Sequence, residues 1–483
     1  MSCLIAAPCS GSGKTLLSLC LAAAARESGE SLQPFKVGPD YLDPQLLTAV
    51  AGRPCRNLDP LLCGEAWVRR CFHWHGARAR QVLVEGVMGL FDGRGPGSEG
   101  SSAAVAALLD VPVVLVVEAS RQAGSLAALV RGFRDHGPPP VRLAGVVLNR
   151  VSSARHRALL AEALAAIGVP LLGVLPSHPL LELPSRHLGL HPPGELADLE
   201  ERRRGWAALA REHLDLARLR PLLQPPAAAT GGDPVAWALA RGRPPGAAPA
   251  AGAAAAGPLP VAVAADAAFH FRYPELEELL RGVGLEPRRW SPLADDPLPA
   301  GCRAVLLPGG YPELHAAQLA AARRSLEDLR RAAAGALPIA AECGGLLLLG
   351  EGLADPRGRI HPMAGLLPFE ARRGALSLGY RQAEPARDGL LVRRGERLTG
   401  HEFHRWQLAP TAAAAAPGLW QLEGWGVPPA REGWTAPHLH ASWLHLHWAG
   451  CPRIPWRLAA AAARSRPAPP AGAPSSVLPG ARG

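Results

Sequence analysis

Residues 7–15 read APCSGSGKT, set between the apolar run CLIAA at 3–7 and the helical stretch LLSLCLAAAA at 16–25. A glycine-rich turn between a strand and a helix aims backbone N–H groups at phosphate oxygens, and the helix N-terminus adds its dipole. Here Gly11, Ser12 and Gly13 supply the turn, Lys14 neutralises β/γ-phosphate charge and Thr15 offers a hydroxyl to Mg²⁺. Pro8 stands where such loops usually begin with glycine. The expectation is a nucleotide site at the edge of a parallel sheet.

Outward from this loop, apolar runs alternate with Ala/Leu/Arg-rich helical stretches: PFKV at 34–37, VLVE at 82–85, VPVVLVVEA at 111–119, LAGVVLN at 143–149 and VPLLGVL at 169–175. That alternation predicts a parallel sheet with helices on both faces. Two acidic segments follow predicted strands, KVGPDYLDP at 36–44 and EGVMGLFDG at 85–93. Carboxylates beside a triphosphate hold the metal and its waters, so Asp40, Asp43 and Glu85 join Thr15 as candidate Mg²⁺ ligands, ahead of Asp92. Asn149, after a strand, is a candidate for an adenine edge or for a strand-end cap.

Residues 222–258 are dominated by Pro, Ala and Gly, with a short helical island near Val235–Ala240, and read as a linker. The chain thus divides into an ATP-binding domain at 1–221, the linker, a second α/β domain at 259–463 and a disordered tail at 464–483. The second pattern runs through PLPVAVAAD at 258–266, RAVLLPGG at 303–310, LPIAAECGG at 337–345 and HLHASWLHLHW at 438–448. A cysteine on a strand-to-helix turn is exposed to attack chemistry, sits where a helix N-terminus favours thiolate, and has backbone N–H groups nearby for an oxyanion. Cys343 in AECGG is therefore the expected nucleophile, with His445 the preferred base and His447 the second choice. The histidine cluster also has zinc spacing, but no Cys or acid joins it.

Composition narrows the function classes. The chain has 483 residues, 48% apolar content and a net charge of +10, with its arginines dispersed rather than clustered. Dispersed charge argues against nucleic acid and fits anionic small substrates. No apolar run is long enough to span a membrane, and nine scattered cysteines without CxxC pairs fit a reduced cytoplasmic setting. Only Lys14 and Lys36 are lysines among 51 basic residues, and both fall in the segments singled out above.

Taken in order, APCSGSGKT, KVGPDYLDP, VEGVMGLFDG, GVVLNRV at 145–151, PSRHLGL at 184–190, VAADAAFHFRYPE at 263–275, LLPGGYPEL at 306–314, AECGGLL, LGYR at 378–381, GHEFH at 400–404 and ASWLHLH at 441–447 closely resemble the cobyrinic acid a,c-diamide synthase family. The resemblance implies a dethiobiotin-synthetase-like ATP domain followed by a class I glutamine-amidotransferase-like domain lacking the usual third acidic triad member, His447 standing in its place. It implies hydrolysis of glutamine at Cys343, internal passage of ammonia, and ATP-driven activation of the a and c carboxylates of cobyrinic or hydrogenobyrinic acid as acyl phosphates. Its substrates would be a corrin polycarboxylate, ATP and glutamine, and its assembly a homodimer. Trp443 and Glu118 depart from the family's usual Tyr and Asp. Neither Cys9 nor Ser10 is the second lysine of partitioning-type ATPases, which argues against a positioning role. Rival readings are an amidase of another tetrapyrrole such as nickel sirohydrochlorin, or a regulatory protein with a relic glutaminase half. Arg186, His187, His401, Glu402 and His404 lie in matching segments without an assigned role.

Overall fold

The computed structural model describes residues 1–186, 189–190, 192–228, 231–246, 257–411 and 418–468. His187, residues 229–230 and 247–256 of the predicted linker, and 469–483 of the predicted tail lie outside them. The chain divides into two compact units, Met1–Trp237 and Ala238–Gly483.

In the first unit, seven parallel strands form one sheet: β1 (Cys3–Ala6), β2 (Leu32–Val37), β3 (Arg56–Leu58), β4 (Gln81–Glu85), β5 (Val113–Glu118), β6 (Leu143–Asn149) and β7 (Leu171–Leu175), in the order β3-β2-β4-β1-β5-β6-β7. Strands buried on both faces read as unbroken apolar runs. Val113–Val117 is accordingly fully buried, and Val146, Val147 and Leu148 pack beside it. Helix α1 (Lys14–Glu27) buries Leu17, Leu19, Cys20 and Leu21 against the sheet, each large side chain contributing about 1.5–3 kcal/mol. Helix Leu199–His213 shares that core through Trp206, whose Nε1 donates to Leu180 O at 2.7 Å. Because β1 lies between β4 and β5, the loops leaving β1, β2 and β4 gather at one carboxyl edge of the sheet.

The second unit carries a sheet in the order Leu285–Trp290, Leu259–Ala264, Ala304–Leu307, Ile339–Glu342, Leu439–Ser442, Trp434–Ala436, parallel except for the last pair. Beside it in sequence stands another sheet built on a long antiparallel hairpin, Phe369–Pro385 with Leu398–Pro410, whose register shifts between Arg373 and Ser377. The hairpin pairs Tyr380 with His401, Gly379 with Glu402 and Ser377 with His404. Past the end of strand Leu439–Ser442 the hairpin makes a two-bond bridge: His401 N donates to His445 O at 3.0 Å, and His445 N donates to His401 O at 2.9 Å. No helix among the described residues is long and apolar enough to cross a membrane.

Candidate functional site

The loop after β1 folds as its glycines require. Gly13, at the head of α1, has φ 113°, and a Cβ there would lie 2.5 Å from Asn149 Nδ2. That close approach is used: Asn149, 1% exposed at the end of β6, donates Nδ2 to Ser12 O at 3.1 Å, while its Oδ1 is buried without a hydrogen-bond partner. Asn149 therefore braces the loop itself, an employment the sequence did not single out. Ser12 Oγ donates to Cys9 O at 3.0 Å and closes the turn. Lys14 Nζ donates to Met88 O at 2.5 Å and to Cys9 O at 3.4 Å, curled over the loop. Burial and then the charge of Lys36 lower its pKa.

Thr15, Asp40, Asp43 and Glu85 do converge. Thr15 Oγ1 donates to Glu85 Oε1 at 2.9 Å and lies 3.4 Å from Asp43 Oδ2. Lys36, 2% exposed in β2, sits among the acids, its Nζ 2.5 Å from Asp43 Oδ2, 2.7 Å from Glu85 Oε1 and 3.6 Å from Asp40 Oδ2. Burial alone would discharge this lysine, but the three carboxylates hold its pKa well above the usual value. Asp40 also starts helix α2 (Leu42–Ala51), its Oδ1 accepting from Leu42 N at 2.8 Å and Asp43 N at 3.2 Å. Asp92, the weaker candidate, accepts from Gly89 N at 2.7 Å and shapes its own turn. Glu85 Oε2 is buried without a hydrogen-bond partner, which suits a hard cation. No group of three or more His, Cys, Asp or Glu among the described residues could hold a metal alone. The ammonium of Lys36 lies between the acids, so they do not form an open metal cage by themselves.

In the second unit, Cys343 lies between strand Ile339–Glu342 and helix Gly344–Leu349 with φ 48° and ψ −110°, a strained backbone for a non-glycine residue. Such a turn lifts the side chain off the sheet edge while the helix aims its first N–H groups at it. The Gly344 N–H acts to lower the pKa of the thiol. Gly310 N would lie 2.8 Å from a Cβ on Gly344, so the PGG loop at 308–310 packs directly on this turn. Gly309 makes room for His445: a Cβ on it would meet His445 Cε1 at 2.5 Å and Nε2 at 3.4 Å. Burial pushes the Cys343 thiol up, with Glu313 adding to the shift, and lowers His445 to about 3. Cys343 Sγ lies 3.9 Å from Phe403 O of the hairpin.

Two family profiles match the two halves: the CobQ/CobB/MinD/ParA nucleotide binding domain over residues 3–190, and the CobB/CobQ-like glutamine amidotransferase domain over residues 260–452. The cobyrinate a,c-diamide synthase of Gloeobacter violaceus is 44% identical over 455 residues, covering 93% of this chain and 94% of its own. The chain belongs to the cobyrinate a,c-diamide synthase family. The Synechococcus member is 40% identical over 94% of this chain and 96% of its own. The hydrogenobyrinate a,c-diamide synthase of Mycobacterium tuberculosis is 42% identical over 96% and 98% respectively.

Seen as a member of the a,c-diamide synthase family, the chain gives most of its unassigned motif residues a place. Glu402 accepts from Arg381 Nε at 2.7 Å and Ser377 Oγ at 2.9 Å, and lies 3.8 Å from His404 Nε2. Burial opposes its charge, but the His404 contact and Arg381 draw its carboxyl down to about 2. His404 stacks on Trp443 at 3.9 Å, so Trp443 is part of this layer. His447, the second-choice base, turns elsewhere. Its Nδ1 accepts from Ala449 N at 3.3 Å, its Nε2 lies 3.7 Å from Glu275 Oε2, and its ring stacks on Tyr273 at 4.2 Å. Lys36 and Glu342 are the site neighbours that sequence reasoning did not assign. The scarcity of lysine was the available signal for the first; for Glu342 the signal was a carboxylate beside a predicted nucleophile.

Proposed function

We propose that this protein amidates the a and c carboxylates of cobyrinic or hydrogenobyrinic acid, using ATP for activation and glutamine for nitrogen, as a carbon–nitrogen ligase. The observation that supports the reading is the turn at Cys343, packed against the loop whose Gly309 lies against His445, in the unit matching the glutamine amidotransferase profile. Cys343 Sγ attacks the carboxamide carbon of glutamine and its proton passes to His445, which delivers it to the departing ammonia. The N–H groups of Gly310 and Gly344 face the oxyanion, and water then cleaves the thioester to glutamate.

In the first unit a substrate carboxylate takes the γ-phosphoryl group of ATP, leaving ADP, and ammonia displaces phosphate from the acyl phosphate. A free carboxylate is inert to ammonia because it has no leaving group; phosphorylation supplies one. Lys14, with the N–H groups of the Gly11–Gly13 turn, binds the phosphates, Asn149 holds the turn rigid, and Lys36 counters charge beside the acids. Thr15, Asp43 and Glu85, with Asp40 behind them, would hold Mg²⁺ together with the nucleotide. Mg²⁺, when bound, offsets phosphate charge during transfer.

The test supplies purified protein with Mg·ATP, glutamine and either ring, following product mass and glutamate. Two added amides are expected, and Cys343→Ala should lose glutamine use while still working with ammonia. If neither ring gains an amide while glutamine is hydrolysed, the substrate is a different tetrapyrrole; if glutamine is untouched too, the proposal fails.

A further inference from the structure

A buried Cys–His pair poses a problem that two residues alone do not solve. A neutral imidazole has two tautomers, and it accepts the thiol proton only when the nitrogen facing sulfur is free of hydrogen. Once it accepts that proton, a cation appears in a place from which water is excluded. Something must hold the ring in one tautomer and offset the charge.

We infer that Glu342 does both: it is the positioning carboxylate of His445, contributed by the residue immediately before the nucleophile. Its Oε2 lies 4.0 Å from His445 Nδ1, while the opposite edge of the ring, Cε1 and Nε2, faces Gly309 of the loop packed on the Cys343 turn. The carboxylate therefore addresses one nitrogen and the nucleophile's surroundings the other, which is the division of labour a relay of this kind needs. Glu342 is held in place as the last residue of its strand, paired with Ser442, and its Oε1 lies 3.4 Å from Trp448 Nε1. A 4.0 Å separation is ion-pair range and not a hydrogen bond; it shortens once the imidazolium forms, as unliganded sites commonly tighten on reaction.

The alternatives in the same layer are otherwise committed. Glu402 serves Arg381 and Ser377, His404 stacks on Trp443, and His401 meets His445 through main-chain bonds. His447, which occupies the sequence position of the usual acidic member, faces Glu275. Burial acts against either charge alone, raising Glu342 to about 8 and lowering His445 to about 3, the latter opposed by the charge of Glu402.

This inference rests on the glutaminase reading of Cys343, and the experiment separates the two. Full-length Glu342→Gln, Glu342→Asp and Cys343→Ala proteins are assayed for glutamate release, for amidation driven by added ammonia, and for the pH dependence of Cys343 alkylation by iodoacetamide. Gln keeps an oxygen for Trp448 but cannot stabilise an imidazolium. Glu342→Gln is expected to lower glutaminase kcat on the order of 10²–10³-fold, with KM for glutamine within about threefold and ammonia-driven amidation unchanged. Its alkylation profile should move to higher pH, and Glu342→Asp should recover part of kcat. A kcat within threefold of the parent, or equal loss of the ammonia-driven reaction, overturns the assignment to Glu342. Retention of glutaminase by Cys343→Ala overturns the underlying reading instead.

Discussion

Gly309→Ala is the perturbation whose effect can be worked most directly from distances. The new methyl would sit 2.5 Å from His445 Cε1, 3.4 Å from Nε2 and 3.3 Å from Phe271 Cδ2. Carbon atoms rest about 3.5–4.0 Å apart, so the imidazole must retreat by roughly 1 Å. It cannot carry its backbone along, because His445 is bonded through both N and O to His401. Gly309 is not among the positive-φ glycines, so alanine adds bulk without backbone strain. A displacement of about 1 Å between a base and its nucleophile costs on the order of 10²-fold in rate, and the overpacking about 1–3 kcal/mol in stability. The assay measures glutamate release and ammonia-driven amidation on one preparation. The first should fall about a hundredfold and the second should hold. Glutamate release within about twofold of the parent would refute the link between this loop and the ring.

Lys14→Ala should abolish amidation with either glutamine or ammonia while leaving basal glutamine hydrolysis intact, measured as ADP and glutamate release. Asn149→Ala removes the donor to Ser12 O; losing one such buried bond, at about 1–1.5 kcal/mol, should raise KM for ATP about tenfold in steady-state kinetics without changing glutaminase kcat. The Glu402 carboxyl, drawn from 4.5 to about 2 in the folded chain, contributes stability above pH 4.5 that is lost as pH falls toward 2, about 3 kcal/mol in full. Glu402→Gln should therefore flatten the decline in Tm of the parent between pH 4.5 and 3, and parallel curves would exclude that linkage.

Contiguous signals were legible. The phosphate loop, the acids at strand ends and the Cys343 turn each need only a short segment read against strand and helix periodicity, and the structure brings Thr15, Asp40, Asp43 and Glu85 together. The runs at 82–85, 113–118 and 143–149 were visible because strands buried on both faces must be continuously apolar. Strand Leu285–Trp290 was not, because its Glu-Pro-Arg-Arg centre is polar on a sheet edge. The hairpin spanning 369–410 also escaped: its register is set between residues far apart in sequence and is broken near Arg373, so the motifs LGYR and GHEFH showed no sign that they meet. The partners of His445 and His447 were hidden for the same reason. Glu342 and Glu275 reach them through sheet order, which sequence spacing does not encode.

The cage around Lys36 bears on how the protein can be handled chemically. Its side chains offer two primary amines, Lys14 and Lys36, 8% and 2% exposed. Lys14, its basicity lowered by burial, is the lysine that an acylating reagent reaches first, and ATP bound over it would shield it. Slow acylation at that one residue, read by mass spectrometry, thus becomes a gauge of nucleotide occupancy that needs no substrate and no turnover.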